Sequence, residues 1–104
     1  MSAPRYYDKA GQPLELMEWA KLVENTEYKI VCQDTLPNGK WISTVWLGLN
    51  HSFGEGLPLI FETMVFPKKG DWSDQDCDRY STIEEAIAGH EAMVKKHTEE
   101  ERDE

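Results

Sequence analysis

A chain of 104 residues with 39% apolar, 11% aromatic and 30% charged side chains is one folded domain's worth of sequence, not a disordered tail. Eleven Lys plus Arg against twenty Asp plus Glu leave −9 at pH 7, which disfavours broad contact with nucleic-acid phosphates or anionic membranes, both of which want a basic face. No apolar run approaches the ~20 residues of a membrane span, Met1 to Asp8 lacks a signal-like apolar stretch, and Cys32 and Cys77 lack C-x-x-C spacing, so a reducing cytosol is the expected compartment.

Residues 13–25 read as a first helix. Pro13 suits a first helical position, Leu16, Trp19, Ala20 and Val23 share one face, and Asn25 is a stop. Ahead of it, Arg5 to Gly11 reads as a short extended piece turning at Gly11. Three strands follow: Tyr28–Gln33, Lys40–Leu49 and Leu59–Phe66. Leu36-Pro37-Asn38-Gly39 joins the first two as a hairpin turn, because Pro presets φ and Asn and Gly tolerate positive φ. Pro67 to Gly70 ends the third. Ser81-Thr82-Ile83-Glu84 fits a capping box, and Ile83, Ile87, His90, Val94 and His97 then form one helical face. Gly89 inside that helix costs ~1 kcal/mol relative to Ala, which close approach of helix to sheet would offset.

The expected fold is therefore α+β: a three-stranded antiparallel sheet with a helix before and a helix after, both on one face, in a single domain over residues 1–98. Residues 99–104, with five acids and one base, form an acidic tail. Both sheet faces are apolar: Trp41, Val45, Leu47 and Leu49 oppose Ile42 and Trp46 in the second strand. Either the N-terminal segment covers the second face, or a second copy or another partner does.

Candidate chemistry is sparse. Asp74, Asp76, Asp78 and Glu85 have the first, third, fifth and twelfth spacing of a calcium loop, but Arg79 occupies the position that needs glycine. His51 and His90 are weak candidates for a metal site, without zinc-finger or H-E-x-x-H spacing. His90 on an apolar stripe reads first as a hydrogen-bonded core residue. Neither cysteine carries a nucleophile signature, and Cys77 lies between Asp76 and Asp78, which oppose a thiolate. Gly54-Glu55-Gly56 lacks the rest of a phosphate loop. The helix–three strands–helix order is shared with double-stranded-RNA-binding domains, but the last helix opens Ile83-Glu84-Glu85 where those domains carry basic residues. No catalytic residue and no cofactor is expected.

Three segments carry a family likeness: Tyr6-Tyr7-Asp8-Lys9-Ala10-Gly11-Gln12-Pro13; Ile42 to His51 with Pro58 to Phe66; and Asp78-Arg79-Tyr80-Ser81-Thr82 with Ala88 to Val94. Together they resemble a family of small proteins encoded by tailed bacteriophages and prophages, over residues 6–97. The resemblance implies a viral product made in the host bacterial cytoplasm and brings no catalytic residues with it. In that context the expected role is an accessory factor that binds a host protein, such as a nucleic-acid-handling or defence enzyme with a basic groove. The candidate contact residues are Trp46, Asp71, Trp72, Asp74, Asp76 and Asp78. A structural or assembly protein that self-associates is the alternative, and a small metal-dependent enzyme using His51 and His90 is a third.

Overall fold

The computed structural model describes residues 5–50 and 57–102. The chain opens as a ribbon in which β1 (Tyr6–Tyr7) pairs antiparallel with β2 (Pro13–Leu14). The Asp8 carboxylate holds the turn between them, accepting from the backbone N–H groups of Ala10 and Gln12. Pro13 thus belongs to the ribbon and does not open a helix. The helix α1 is shorter than expected, Leu16–Glu24, and starts at Glu15, which exchanges capping hydrogen bonds with Glu18. Its inward residues are Trp19, Ala20, Leu22 and Val23, while Leu16 is exposed. Asn25 ends α1 and caps the single turn α2 (Thr26–Lys29) by accepting from Tyr28 N–H, so Tyr28 is helical and the first long strand begins two residues later.

That strand, β3 (Ile30–Thr35), is followed by β4 (Trp41–Trp46), β5 (Phe61–Phe66) and β6 (Asp76–Tyr80), which form one antiparallel sheet in that order. The β3–β4 turn is the one expected. Gly39, at φ +90°, donates to Leu36 C=O at 2.9 Å, and Leu36 donates to Lys40 C=O at 2.8 Å. The expectation of three strands is corrected to four. The added strand β6 comes from the segment expected to be an acidic loop, and it buries only Tyr80. A charged edge strand has no apolar alternation to announce it, and aspartate is a poor strand former. Pairing with β5 makes it a strand, with Arg79 opposite Glu62 and bonded to it at 2.9 Å.

The long helix α3 (Ile83–Arg102) lies across all four strands. Its cap is Thr82 with Glu85, one residue later than expected. Glu85 N–H donates to the Thr82 hydroxyl at 3.1 Å, and Thr82 N–H donates back to the Glu85 carboxylate at 3.1 Å. The buried stripe is Ala86, His90, Met93 and His97, and Ile87 faces outward. The helix continues through Arg102. Helix on one face describes α3. The shorter α1 packs on β1 and α2 instead, at the Trp46 end of the core. No helix among the described residues is long and apolar enough to cross a membrane.

At Gly89 α3 passes close against Tyr80 of β6. A methyl group there would overlap the Tyr80 ring, which is itself buried. Gly89→Ala should therefore destabilise, although alanine is the better helix former by ~1 kcal/mol. Overpacking a rigid core costs ~1–3 kcal/mol, so a net loss is expected in urea unfolding. Tyr80→Leu in the same chain should recover part of it.

Candidate functional site

Two polar clusters, a surface patch and a cleft are the places where chemistry could reside. The first cluster lies beneath the middle of α3. His90 Nε2 contacts Asp34 Oδ2 at 2.7 Å, His90 Nδ1 contacts Thr44 Oγ1 at 2.7 Å, and Thr44 Oγ1 contacts Thr63 Oγ1 at 2.5 Å. Asp34, on edge strand β3, keeps 56% of its side chain in solvent, whereas Thr44 and Thr63 are fully buried. The Tyr80 hydroxyl, also buried, makes no well-formed hydrogen bond, and desolvation raises its pKa. Acid, imidazole and hydroxyl stand in the order of a nucleophilic triad. Yet the hydroxyl that would attack is sealed under the helix, where no substrate carbon can approach it. This arrangement fastens α3 to the sheet.

The second cluster fastens the same helix seven residues on. His97 Nε2 donates to Asp76 Oδ2 at 3.0 Å, and Lys96 donates to the same oxygen at 2.8 Å. Lys40 Nζ meets His97 Nδ1 at 3.1 Å. Because an ammonium only donates, Nδ1 is the acceptor and Nε2 carries the hydrogen. Asp34 and Asp76 sit on opposite edge strands, so two buried histidines tie α3 down at both sides of the sheet. The hydrogen bonds from Lys96 and His97 hold the Asp76 carboxyl below its ordinary range. A carboxylate depressed in the folded state contributes stability above its unfolded pKa of ~3.9, and that contribution is lost as pH falls below this value. Acid unfolding should therefore be shallower below about pH 4 for Asp76→Asn than for the parent chain, as read by far-UV circular dichroism.

The surface patch is Trp72 on the sheet face opposite α3, where cross-strand register places Trp41, Ser43, Val45, Glu62, Met64 and Phe66, and where Trp41, Ser43 and Phe66 are buried. Trp72, from the β5–β6 loop, lies against this face, edge-on to Trp41 at 5.9 Å and to Phe66 at 5.4 Å, and remains 71% exposed. The Lys69 ammonium stands 5.9 Å from the Trp41 ring centroid. Asp71 shapes the loop by accepting from both the N–H and the hydroxyl of Ser73, which lowers its pKa.

A cleft of about 460 Å³ lies at the other end of the molecule, lined among others by Tyr7, Lys9, Pro58, Ile60 and Ile83. The Lys9 ammonium, with its pKa lowered by burial, sits 4.7 Å over the Tyr28 ring and 3.5 Å from Ile30 C=O.

The expected contact residues are thus dispersed. Trp72, Asp71 and Asp74 share the β5–β6 loop. Asp78 lies on β6 and Asp76 is committed to α3. Trp46 is corrected outright: it is a core residue, 1% exposed, donating from Nε1 to Tyr7 C=O at 2.9 Å. Residue 51, one of the two weak metal candidates, lies outside the described residues. The other, His90, has both ring nitrogens engaged by Asp34 and Thr44, and no cluster suited to a metal occurs among the described residues. What sequence reasoning missed is the support beneath Trp72: Trp41 and Phe66, whose aromatic character was visible, are buried side by side on the face opposite α3. No family model matches the chain, and no curated protein or solved structure matches it.

Proposed function

We propose that this chain is a small accessory binding protein, of the kind the phage resemblance implies, which attaches to a host protein and performs no bond-making of its own. Trp72 is the observation that supports this reading. A large aromatic side chain wedged edge-on against Trp41 and Phe66 is held in place before any partner arrives, so little side-chain entropy is lost on contact. Lys68 and Lys69 balance Asp71 and Asp74 within the loop, so the aromatic ring, and not local charge, is the anchor. The overall charge of −9 acts at longer range and favours a partner with a basic surface, such as the groove of a nucleic-acid-handling or defence enzyme.

The test compares the immobilised full chain with Trp72→Ala in lysate of a bacterial host. A host protein retained by the parent chain, released by salt and lost with Trp72→Ala is the expected result. Equal retention by both chains, or none by either, overturns the proposal.

A further inference from the structure

The two edges of the sheet are treated differently. Leu36 donates to Lys40 C=O, so along β3 the residues in the same phase, Asp34 and Cys32, point their backbone groups at β4, and Gln33 and Thr35 point theirs outward. Carrying the alternation across the sheet puts the outward backbone of β6 at Cys77 and Arg79. Both of those donors are occupied: Cys77 N–H bonds Asp76 Oδ1 at 3.0 Å, and Arg79 N–H bonds Asp78 Oδ1 at 2.9 Å. The β6 edge is closed by its own aspartates. The outward N–H and C=O groups of Gln33 and Thr35 have no such cover, and both residues are exposed.

We infer that the β3 edge receives an extended, basic segment of another protein as a fifth strand. Charge selects the occupant. Asp34 stands on the α3 side of this edge, bonded to His90 and with 56% of its side chain in solvent, and exposed Glu91 follows His90 on α3. Two carboxylates therefore flank the edge on the side of α3. The other side of the same strand presents Gln33 and Thr35. An incoming strand with Lys or Arg at alternate positions turns those side chains toward Asp34 and Glu91 and places small polar residues beside Gln33 and Thr35. A second copy of this chain, paired about a two-fold axis, would bring a second Asp34 and Glu91 to the same side, which like charge opposes. Trp72 rests on Trp41 and Phe66 of β4 and β5, and backbone-modified peptides test the β3 edge without altering that anchor, so the two readings fail independently.

The probe is a fluorescent seven-residue peptide alternating Thr and Lys, with binding followed by anisotropy and by amide shifts of the full chain. In antiparallel pairing the residues opposite Gln33 and Thr35 share their face and exchange both backbone bonds with them, so the threonines point their backbone at β3. Methylating the threonine amides should weaken binding at least about tenfold, and methylating the lysine amides should not. A Thr/Glu peptide should fail to bind. Gln33→Pro should abolish binding, because proline is tolerated where an edge N–H faces solvent. If that variant does not fold, the two methylated peptides decide the matter on the unaltered protein. Absence of binding, insensitivity to which amides are methylated, or shifts centred away from Val31 to Thr35 overturns the inference. A dimer that Gln33→Pro dissociates makes a second copy the occupant and overturns it likewise.

Discussion

Replacing His90 with leucine should cost about 1–3 kcal/mol, and removing its partners as well should give much of that back. In the folded protein the imidazole joins exposed Asp34 to the buried hydroxyls of Thr44 and Thr63. Leucine fills similar space but offers no acceptor. Asp34 can turn to water, so its loss is small. The hydroxyl pair cannot: the Thr44 hydrogen that His90 Nδ1 accepted loses its partner in the core, a defect of ~1–3 kcal/mol. The triple change His90→Leu, Thr44→Val and Thr63→Val removes the stranded groups together. It should unfold at higher urea than His90→Leu alone, since replacing all members of a polar network by apolar groups of similar shape is often close to neutral. Tyr80→Phe is the internal control and should cost nothing, because that hydroxyl is buried without a well-formed bond. Equilibrium urea unfolding with unchanged slope reports all of these. Additive losses across the triple change would show that each hydroxyl has a further partner.

The same network shows where the sequence could be read and where it could not. The turn at Leu36 to Gly39 was legible because proline, asparagine and glycine each answer a specific dihedral need. The helix α3 was legible from its period, and its start was misplaced by one residue because Ser81 with Glu84 and Thr82 with Glu85 are overlapping boxes of equal quality. Only packing separates them. By contrast, β6 was illegible in principle: an edge strand whose outward donors are capped by its own aspartates looks like an acidic loop until it is seen paired. His90 was visible on an apolar stripe, but its partners lie 56 and 46 residues away, and no local pattern points to them. The candidate surface suffered from the same limit. Alternation divides β4 into two apolar faces and does not say which one a helix will take.

Trp46 and Trp72 put that distinction to experiment, because the sequence offers them as equals and the structure does not. Trp46→Ala should cost ~3–5 kcal/mol, the usual range for deleting a buried aromatic. The ring is 1% exposed, meets Tyr28 edge-on at 4.9 Å and supports Gly48, whose φ of +71° lets the backbone pass where a methyl group would strike both Trp46 and Trp19. Its Nε1 also holds the Tyr7 carbonyl, so the β1–β2 ribbon loses an anchor along with the core. Against a total stability of ~5–15 kcal/mol, the variant should be partly unfolded at 37 °C, and a 1 kcal/mol change in a domain this size moves the Tm by ~4–8 °C. Trp72→Ala removes a side chain that is mostly in water and should change the stability by no more than the ~0.5 kcal/mol typical of surface changes. Calorimetry on the two variants separates the roles. Comparable losses would mean that the Trp72 loop is a structural cover for Trp41 and Phe66, and the anchor would then have to be sought elsewhere.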